Sequence, residues 1–494
     1  MNFQLKLQPA GFEQNVPAGA ALQDALFAHG VEFPCGGRGR CKGCRVKMLK
    51  GNLPVSAEER KLLTETELAA GWRLACRHKM SCDLELELAQ WEMSVLGDQS
   101  SFPFTPREGS GIAIDLGTTT IAAQLVDLQN GNVLAVATAL NSQARHGSDI
   151  MSRIEFAIRG GGLELQRLIR EQIGEIIHHL LVQAHSTSCP AKIVIVGNSA
   201  MHHLFCGIDV APLAAHPFEP KQPERIHFFP AQLNWNLPDR TTIEFLPCLG
   251  GFVGSDVLAG IVATGLHERR GLAALLDLGT NGEVVVGNRE RILCCSTAAG
   301  PAFEGARITM GMRAATGAIS TVETNNGSLK CHVLGGGEPR GLCGSGLVDA
   351  VAAGLDLNWI EASGRMTVSP TLPLAGSVAL FPSDVRELQL AKGAIAAGLL
   401  ILTRRIGATL DDLQALHLAG AFGNYISRAS AKRIGLLRLP MNRIVPAGNT
   451  ALHGAKRALF EDASAWDAVA QRVEHISLNE DPDFQDIYAT EMRF

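Results

Sequence analysis

The sequence predicts a multidomain protein in which a small N-terminal α+β domain precedes a two-lobed α/β part. Three observations lead to this prediction: the chain has 494 residues, four of its cysteines lie between positions 35 and 76, and one strand-turn-strand segment occurs twice. A chain of this length exceeds a single ordinary core, because domains usually hold about 100–200 residues. Hydrophobic residues make up 46% of the chain and charged residues 19%, which excludes disordered and fibrous proteins.

Charge and hydropathy narrow the class of partner and the location. With 44 basic and 49 acidic residues the net charge is −5, so we expect no polycationic surface and no nucleic-acid partner. The first residues, MNFQLKLQ, alternate polar and apolar as in a strand and do not form a signal peptide. The longest apolar run, near Gly393, is shorter than the ~20 residues that span a bilayer. We therefore expect a cytoplasmic protein without a membrane segment.

The N-terminal part has the pattern of a compact domain over residues 1–96. A strand is predicted from Phe3 to Gln8, a helix near Ala21 to His29, and a closing strand where Leu84, Leu86 and Leu88 alternate with acidic residues. The next stretch, residues 97–110, is rich in Ser, Gly and Pro and has no periodicity. That composition is typical of a flexible linker.

Four cysteines of this domain have the spacing of a 2Fe-2S ligand set. They form a C-x5-C-x2-C loop with one distant cysteine: Cys35, Cys41, Cys44 and Cys76. Such a cluster needs four thiolates, three of them on one tight loop, and the loop glycines let the backbone approach closely. A structural zinc site is the alternative, although zinc sites usually pair two close-spaced couples. Cys82 is expected to be a buried strand residue and no ligand.

The rest of the chain contains an internal repeat. Residues Gly111 to Ala137 read as strand, DLGT turn, strand, short turn and strand, and Leu272 to Ser296 repeat that order. Two related lobes follow, which we place at 111–265 and 266–494. In each DLGT turn small residues expose N–H groups to phosphate oxygens, and an Asp at the strand end is placed to position Mg²⁺.

The two turns resemble the phosphate 1 and phosphate 2 loops of the acetate and sugar kinase, heat-shock chaperone and actin superfamily, whose two ribonuclease-H-like lobes bind ATP. The resemblance implies a catalytic role, with Mg²⁺, for Asp115 and Asp277. It also implies nucleotide contacts from the turn residues Gly117, Thr118, Thr119, Thr120, Gly279, Thr280, Asn281 and Gly282. The segment from His417 to Ile426 is similar to the superfamily's adenosine segment, which adds Gly420 and Gly423.

The cysteine loop is similar to that of vertebrate-type and bacterial-hydroxylase-type ferredoxins, which have a β-grasp fold. Together with segments such as VGNSAMHHLF, LPCLGGFVGSD, AGPAFEGARITMGM and LAGAFGNY, the chain resembles the reductive activators of corrinoid proteins. Members of that family use ATP to drive an electron from their cluster onto an inactive Co(II) corrinoid and restore Co(I). The resemblance implies a corrinoid protein and an upstream low-potential electron donor as partners. It leaves open whether the chain forms a homodimer.

Other functions remain alternatives at the level of the sequence. One is ATP-driven activation of another low-potential metalloenzyme, although such activators typically hold a 4Fe-4S cluster between subunits. Another is a small-molecule kinase with a redox domain, which would need a sugar or acid pocket that the sequence does not indicate. A third is a non-catalytic, redox-sensing ATP-binding module.

Overall fold

The structure is a computed structural model that describes residues 2–8, 12–27, 31, 39, 44–88, 102–147, 149–186, 188–279, 281–305, 307–325, 327–367 and 369–494. The chain forms two compact units. One consists of residues 1–94 with 142–160, and the other of residues 95–141 with 161–494. Residues 142–160, which the sequence analysis assigns to the first lobe, thus group with the N-terminal unit.

The N-terminal unit is built on a five-stranded mixed sheet. Its strands and helices are β1 (Asn2–Gln8), β2 (Phe12–Pro17), α1 (Leu22–Phe27), β3 (Arg45–Lys50), α2 (Ala57–Leu62), α3 (Glu65–Ala69), β4 (Trp72–Leu74), β5 (Leu84–Leu88) and α4 (Ile150–Phe156). The strand order is β2-β1-β5-β3-β4, with β1 and β5 parallel. The predicted first and last strands are thus the central pair, because their alternating leucines fill the core between sheet and helices.

The second unit contains two six-stranded sheets. The first half comprises β6 (Ser110–Leu116), β7 (Thr120–Asp127), β8 (Val133–Leu140), α5 (Gly162–Gln183), β9 (Lys192–Gly197), α6 (Ser199–Cys206), β10 (Ile226–Phe228), β11 (Thr242–Phe245) and α7 (Ser255–Ala263). The strands follow the order β10-β11-β9-β6-β7-β8. β6 to β8 form an antiparallel meander, whereas β9 and β11 run parallel to β6.

The second half repeats this arrangement with an insertion. Its elements are β12 (Ala273–Leu278), β13 (Gly282–Gly287), β14 (Ile292–Thr297), β15 (Ala318–Asn325), β16 (Ser328–Val333), β17 (Gly341–Leu342), α8 (Gly344–Asp356), β18 (Leu372–Ala375), β19 (Val378–Leu380), α9 (Pro382–Arg405), β20 (Ala415–Ala419), α10 (Gly420–Tyr425), α11 (Arg428–Arg433), β21 (Ile444–Gly448), α12 (Thr450–Ala458), α13 (Ala463–Ala470), β22 (Val473–His475) and α14 (Phe484–Glu491). The main sheet has the order β21-β20-β12-β13-β14-β22, and β15–β17 and β18–β19 form two small sheets.

The predicted repeat is therefore a repeat of topology. In each half a strand that ends in a DLGT turn lies between an antiparallel partner and a parallel one. Asp115 on β6 is opposite Val196 on the parallel strand β9, and Asp277 on β12 is opposite Ala419 on β20. This confirms the two-lobed α/β prediction and places both turns at the carboxyl end of a central strand, where open α/β sheets bind ligands.

The two halves share one apolar core at a close helix crossing. Buried residues of α7, among them Val257 and Ile261, pack with Leu275 of β12 and Leu452 of α12. The α7 and α12 backbones touch, because a Cβ on Gly454 would lie 2.5 Å from Cα of Ala259. Of the helices in the described residues, none is both long enough and apolar enough to cross a membrane.

The segment predicted as a flexible linker is packed in its second half. The rings of Phe102 and Phe104 lie 5.6 and 4.5 Å from the ring of Phe460, centroid to centroid. Arg107 donates from its backbone to the carbonyl of Leu128. The prediction of a flexible linker is wrong for residues 102–110, because two phenylalanines among the Ser, Gly and Pro residues find an apolar surface beside α12.

Candidate functional site

The described cysteines of the ligand set lie on two segments that are joined by a backbone hydrogen bond. Cys44 is buried directly before β3, and Cys76 lies in a 3₁₀ turn over Ala75–Arg77. The N–H of Ala75 donates to the carbonyl oxygen of Cys44 over 3.0 Å. Cys35 and Cys41 lie outside the described residues. Two thiol-bearing segments held together in this way fit a cluster that is bound by a loop and one distant cysteine.

Gly39 marks where the ligand loop approaches the Cys76 turn. Its φ is +66°, and a Cβ at this position would lie 2.7 Å from Cδ of Arg77. A glycine is required here on both counts. Cys82 lies in a bend before β5, is partly exposed, and its Sγ is 3.7 Å from the carbonyl oxygen of Asn52. The prediction that Cys82 is a buried strand residue is therefore wrong, since the closing strand begins two residues later.

A buried carboxylate holds the Cys76 turn from the other side. Glu59 accepts hydrogen bonds from the backbone N–H of Leu74 at 2.6 Å and of Ser56 at 2.7 Å. Its carboxylate also lies 2.8 Å from Nε2 of His78. Burial raises the pKa of Glu59, but these hydrogen bonds outweigh burial and lower the pKa to about 2. Glu59 is thus an ionised anchor at both ends of the turn that carries Cys76.

The first phosphate turn is closed by its own backbone and by asparagines. Gly117 donates its N–H to the carbonyl oxygen of Thr120 over 3.1 Å. The side-chain amide of Asn141 donates to the carbonyl of Gly117 at 2.9 Å, and that of Asn198 donates to Oγ1 of Thr118, also at 2.9 Å. The backbone N–H of Asn141 bonds to the carbonyl of Thr119. The turn is therefore preorganised before any ligand binds.

The second phosphate turn is also closed by a backbone hydrogen bond. Gly279 donates its N–H to the carbonyl of Asn281 over 3.1 Å, while Thr280 lies outside the described residues. Gly282 begins β13, and a Cβ there would lie 2.6 Å from Cγ1 of Ile395 on α9. The packing of α9 is thus a sufficient reason for this glycine, whatever its contact with a nucleotide.

Four partly buried carboxylates at and near the two turns influence one another electrostatically, although only two were predicted. Burial and the charge of Asp115 raise the pKa of Asp277 to about 7. Burial, Asp277 and Asp115 raise the pKa of Asp256 to about 8. Glu283, directly opposite Asp277 across the β12–β13 pair, has a pKa raised well above its usual value by burial, Asp256 and Asp277. Such mutual repulsion is relieved by a bound cation.

Asp115 accepts a hydrogen bond from a side-chain amide, whereas Asp256 accepts one from the backbone N–H of Val257. Burial raises its pKa to about 6, against the opposing effect of a hydrogen bond from Asn449. The distance from Nδ2 of Asn449 to Oδ2 of Asp115 is 3.0 Å. Asn449 directly precedes α12, in the other half of the unit from Asp115.

The sequence analysis missed Asp256, Glu283 and Asn449. Asp256 is the second residue of α7 and follows the glycine that begins the helix, so an acidic residue in the first turn of an apolar helix was its signal. Glu283 has no counterpart in the first half, where Asp115 faces Ala122. Asn449 caps a helix, a signal that indicates a helix start but nothing about Asp115.

The predicted adenosine segment forms a strand-to-helix turn against Asp277. Gly420 has φ +84°, and a Cβ there would lie 2.6 Å from Oδ1 of Asp277. A Cβ on Gly423 would lie 3.2 Å from Cγ of Leu418. The ring of Phe422 stacks on that of Phe303 at 4.6 Å. Both glycines therefore allow close backbone packing next to the second phosphate turn.

The carboxylate cluster fits Mg²⁺ that is bound through water and phosphate. Within the described part of the chain, no three His, Cys, Asp or Glu side chains are grouped closely enough to coordinate a metal directly. Mg²⁺ usually keeps several waters and takes one or two carboxylates together with substrate phosphates. Partly buried acids that act on one another, with no basic side chain among the described residues acting on them, match this mode of binding.

Family models match nearly the whole chain. Residues 5–81 match the 2Fe-2S iron-sulfur cluster binding domain, residues 110–269 the RACo middle region, and residues 272–494 the C-terminal domain of RACo, the ASKHA domain. The first match covers the cysteine loop and Cys76. The other two meet between the halves that the repeated sheets define.

Individual relatives agree with these matches. The chain is 35% identical over 421 residues to the corrinoid activation enzyme RamQ of Eubacterium limosum, covering 78% of this chain and 70% of that protein. It is 27% identical over 421 residues to a [Co(II) methylated amine-specific corrinoid protein] reductase of Methanosarcina barkeri, covering 78% and 77%. A solved reductive activator for a corrinoid, iron-sulfur protein matches with a TM-score of 0.69 and 25% identity over 100% of this chain and 98% of that one.

Proposed function

The chain belongs to the family of reductive activators of corrinoid proteins, and from this membership we propose that it reduces the inactive Co(II) corrinoid of a partner protein to Co(I) at the expense of ATP. The cobalt gains one electron, and ATP and water become ADP and phosphate. The observation that carries the proposal is the presence in one chain of a cysteine ligand set and four partly buried carboxylates at and near two phosphate turns.

Residues of the N-terminal unit would hold the redox group. We assign Cys35, Cys41, Cys44 and Cys76 as the ligands of a 2Fe-2S cluster, which when bound supplies a one-electron donor. Glu59 fixes the turn that carries Cys76. Ala75, through its bond to the carbonyl of Cys44, keeps the two ligand segments at one distance.

Residues of the second unit would bind Mg-ATP. The turns at Gly117 and Gly279 would contact the phosphates, and Asp115 and Asp277 would hold Mg²⁺, which when bound would neutralise charge on the phosphates. Asp256, whose pKa is raised to about 8 by burial and by Asp277 and Asp115, would orient the attacking water in its ionised form. The preorganised donors then stabilise the charge that develops on the phosphates.

ATP is needed because reduction of the Co(II) acceptor forms Co(I), which is a strong reductant. For one electron, each 59 mV by which Co(I) is the stronger reductant is a tenfold handicap in the equilibrium constant. A nucleotide that binds between two hinged halves changes their relative setting and can couple hydrolysis to the binding and release of a partner.

The proposal also includes the electron donor, the location of the protein and the bounds of its domains. We propose a low-potential protein as the upstream electron donor, and a cytoplasmic location, because thiolate ligands and low-potential chemistry need a reducing compartment. We keep the domains at 1–96, 111–265 and 266–494.

The direct test is the formation of Co(I). A Co(II) corrinoid protein, excess reductant and the purified chain are mixed anaerobically, and the absorbance of Co(I) is followed with and without Mg-ATP. We expect reduction only with ATP, and ATPase activity that rises when the Co(II) protein is added. Equal reduction without nucleotide would contradict the proposal. Phosphorylation of a sugar or an organic acid would favour the kinase alternative.

A further inference from the structure

Asn449 uses both ends of its side-chain amide. Its Oδ1 accepts a hydrogen bond from the backbone N–H of Leu452 at 2.9 Å and so caps α12. Its Nδ2 donates to Oδ2 of Asp115 at 3.0 Å. The opposite orientation of the amide would place its oxygen against a carboxylate and its NH₂ group against an N–H. The helix cap therefore dictates that the donor end points at Asp115.

The position of Asn449 is set by the packing of the two halves. Helix α12 crosses α7 with almost no space between the backbones, since a Cβ on Gly454 would lie 2.4 Å from the carbonyl oxygen of Ala259. A Cβ on Gly260 of α7 would in turn lie 3.1 Å from Oγ1 of Thr450, the residue after Asn449. The start of α12 cannot shift without shifting α7.

The positions of both carboxylates of the first half, Asp256 and Asp115, thus depend on the helices α7 and α12. Asp256 is carried by α7 itself. Asp115 is carried by β6 and bonded to the residue that begins α12. The charge of Asp115 acts on Asp277 of β12 and on Asp256 of α7, and these two carboxylates act in turn on Glu283 of β13. The amide of Asn449 is the side-chain donor that the described residues supply to Asp115.

We propose that Asn449 is a positioning residue of the ATPase site, which holds the Asp115 carboxylate of one half from the start of α12 in the other half. It acts through Asp115 and does not itself touch the nucleotide. The orientation of the Asp115 carboxylate towards Mg-ATP then depends on the relative position of the two halves. Closure of the halves is thereby linked to ATP hydrolysis. The inference rests on the proposed ATPase function.

The geometry of the amide predicts a distinctive defect. The amide of Asn449 holds one oxygen of the Asp115 carboxylate at 3.0 Å, so its removal should leave the nucleotide bound but the carboxylate misdirected. The loss should therefore appear in kcat and much less in KM.

The variant Asn449→Ser separates positioning from capping. Serine is as good an N-cap as asparagine, so the melting temperature should stay within a few degrees of the wild type, but its short side chain cannot replace the amide donor. We expect kcat for ATP hydrolysis at pH 7 to fall about tenfold and KM to change much less. Asn449→Asp also keeps a cap but sets a second carboxylate against Asp115, and should lose more.

A double variant tests whether Asn449 acts through Asp115. In an Asp115→Asn background, adding Asn449→Ser should lower kcat by no more than about twofold, because the carboxylate that Asn449 positions is already gone. Losses that multiply independently in the double variant would overturn the proposal, as would a folded Asn449→Ser protein with the wild-type kcat. A fall in kcat that merely follows a fall in melting temperature would also overturn it. If the wild type itself shows no ATPase that depends on Asp115, the proposed function fails instead.

Discussion

The carboxylate of Glu59 lies 2.8 Å from Nε2 of His78 and 2.6 Å from the backbone nitrogen of Leu74, so it spans the turn that carries Cys76. The side chain of Glu59 is fully buried, and that of His78 is 5% exposed. Altering a buried carboxylate that accepts several hydrogen bonds lowers the stability of the fold, because each buried donor left unpaired costs about 1–3 kcal/mol. The pair thus connects the stability of the fold with the geometry of a cluster ligand.

Glu59→Gln should loosen the Cys76 turn. Glutamine keeps the size of the side chain but cannot accept from all three donors, so the cluster should be lost in air several times faster than in the wild type, with iron content followed by absorbance. Glu65→Gln, an exposed change in the first turn of α3, is the matched control and should behave as the wild type. Equal cluster lifetimes in both variants would contradict the role of Glu59.

The ligand set is tested by a pair of cysteine variants. Anaerobically purified Cys76→Ser should have a disturbed cluster with altered absorbance and iron content, because one of four thiolates is replaced by a much weaker ligand. Cys82→Ser should keep about two irons and two sulfides per chain, since Cys82 lies in a partly exposed bend. Full retention of the cluster by Cys76→Ser would overturn the assignment.

The two predicted aspartates and the one found in the structure should be needed for hydrolysis. Asp115→Asn, Asp277→Asn and Asp256→Asn should each lower kcat for ATP by about 10²-fold or more, because each removes a carboxylate that positions Mg²⁺ or water. Folding should survive, since asparagine removes like-charge repulsion from the cluster. Asp239→Asn on the exposed surface is the control. Wild-type hydrolysis in the cluster variants would place the Mg-ATP site elsewhere.

Binding of Mg-nucleotide should release protons near neutral pH. The pKa values of Asp115, Asp277 and Asp256, about 6, 7 and 8, lie above their values in the unfolded chain, so the folded protein binds more protons than the unfolded one. Stability without nucleotide should therefore fall as pH rises from 6 to 8. The enthalpy of Mg-nucleotide binding, measured at pH 7 in buffers of different ionisation enthalpy, should show a net release of protons. This proton release should disappear above pH 8. Proton uptake would contradict this prediction.

The packed position of Phe102 indicates where the chain can be cut. A protease site introduced within residues 97–101 of the full chain leaves both phenylalanines on the second unit, where they pack against Phe460. After cleavage, ATPase activity and a reducible cluster should both remain. Residues 142–160, which group with the N-terminal unit, remain on the second fragment, so the fragments should be separated by dilution before the assay. ATP-dependent Co(II) reduction should then fall sharply at micromolar protein, because a short tether supplies an effective concentration of the order of millimolar. Unchanged reduction on dilution of the cut protein would show that the tether is not required.

The sequence by itself determined the cysteine spacing on which the proposed ligand set rests, the two DLGT turns and the three-strand pattern with which each half begins. These features are local: a spacing along one loop, a turn of small residues after an apolar strand, and an alternation with period two. The paired glycines Gly420 and Gly423 were also readable, because a glycine turn between an apolar strand and a helix is a local signal.

Only the tertiary structure decided which side chains meet at the ATPase site. Asn449 and Asp115 are 334 positions apart, and Asp256 joins them because α7 and α12 cross at Gly454. Glu283 lies opposite Asp277 because of the register of the β12–β13 pair. Phe102 packs against the second unit because Phe460 offers it an apolar surface. No local period or composition records such contacts, since each depends on the packing of segments that are distant in the chain.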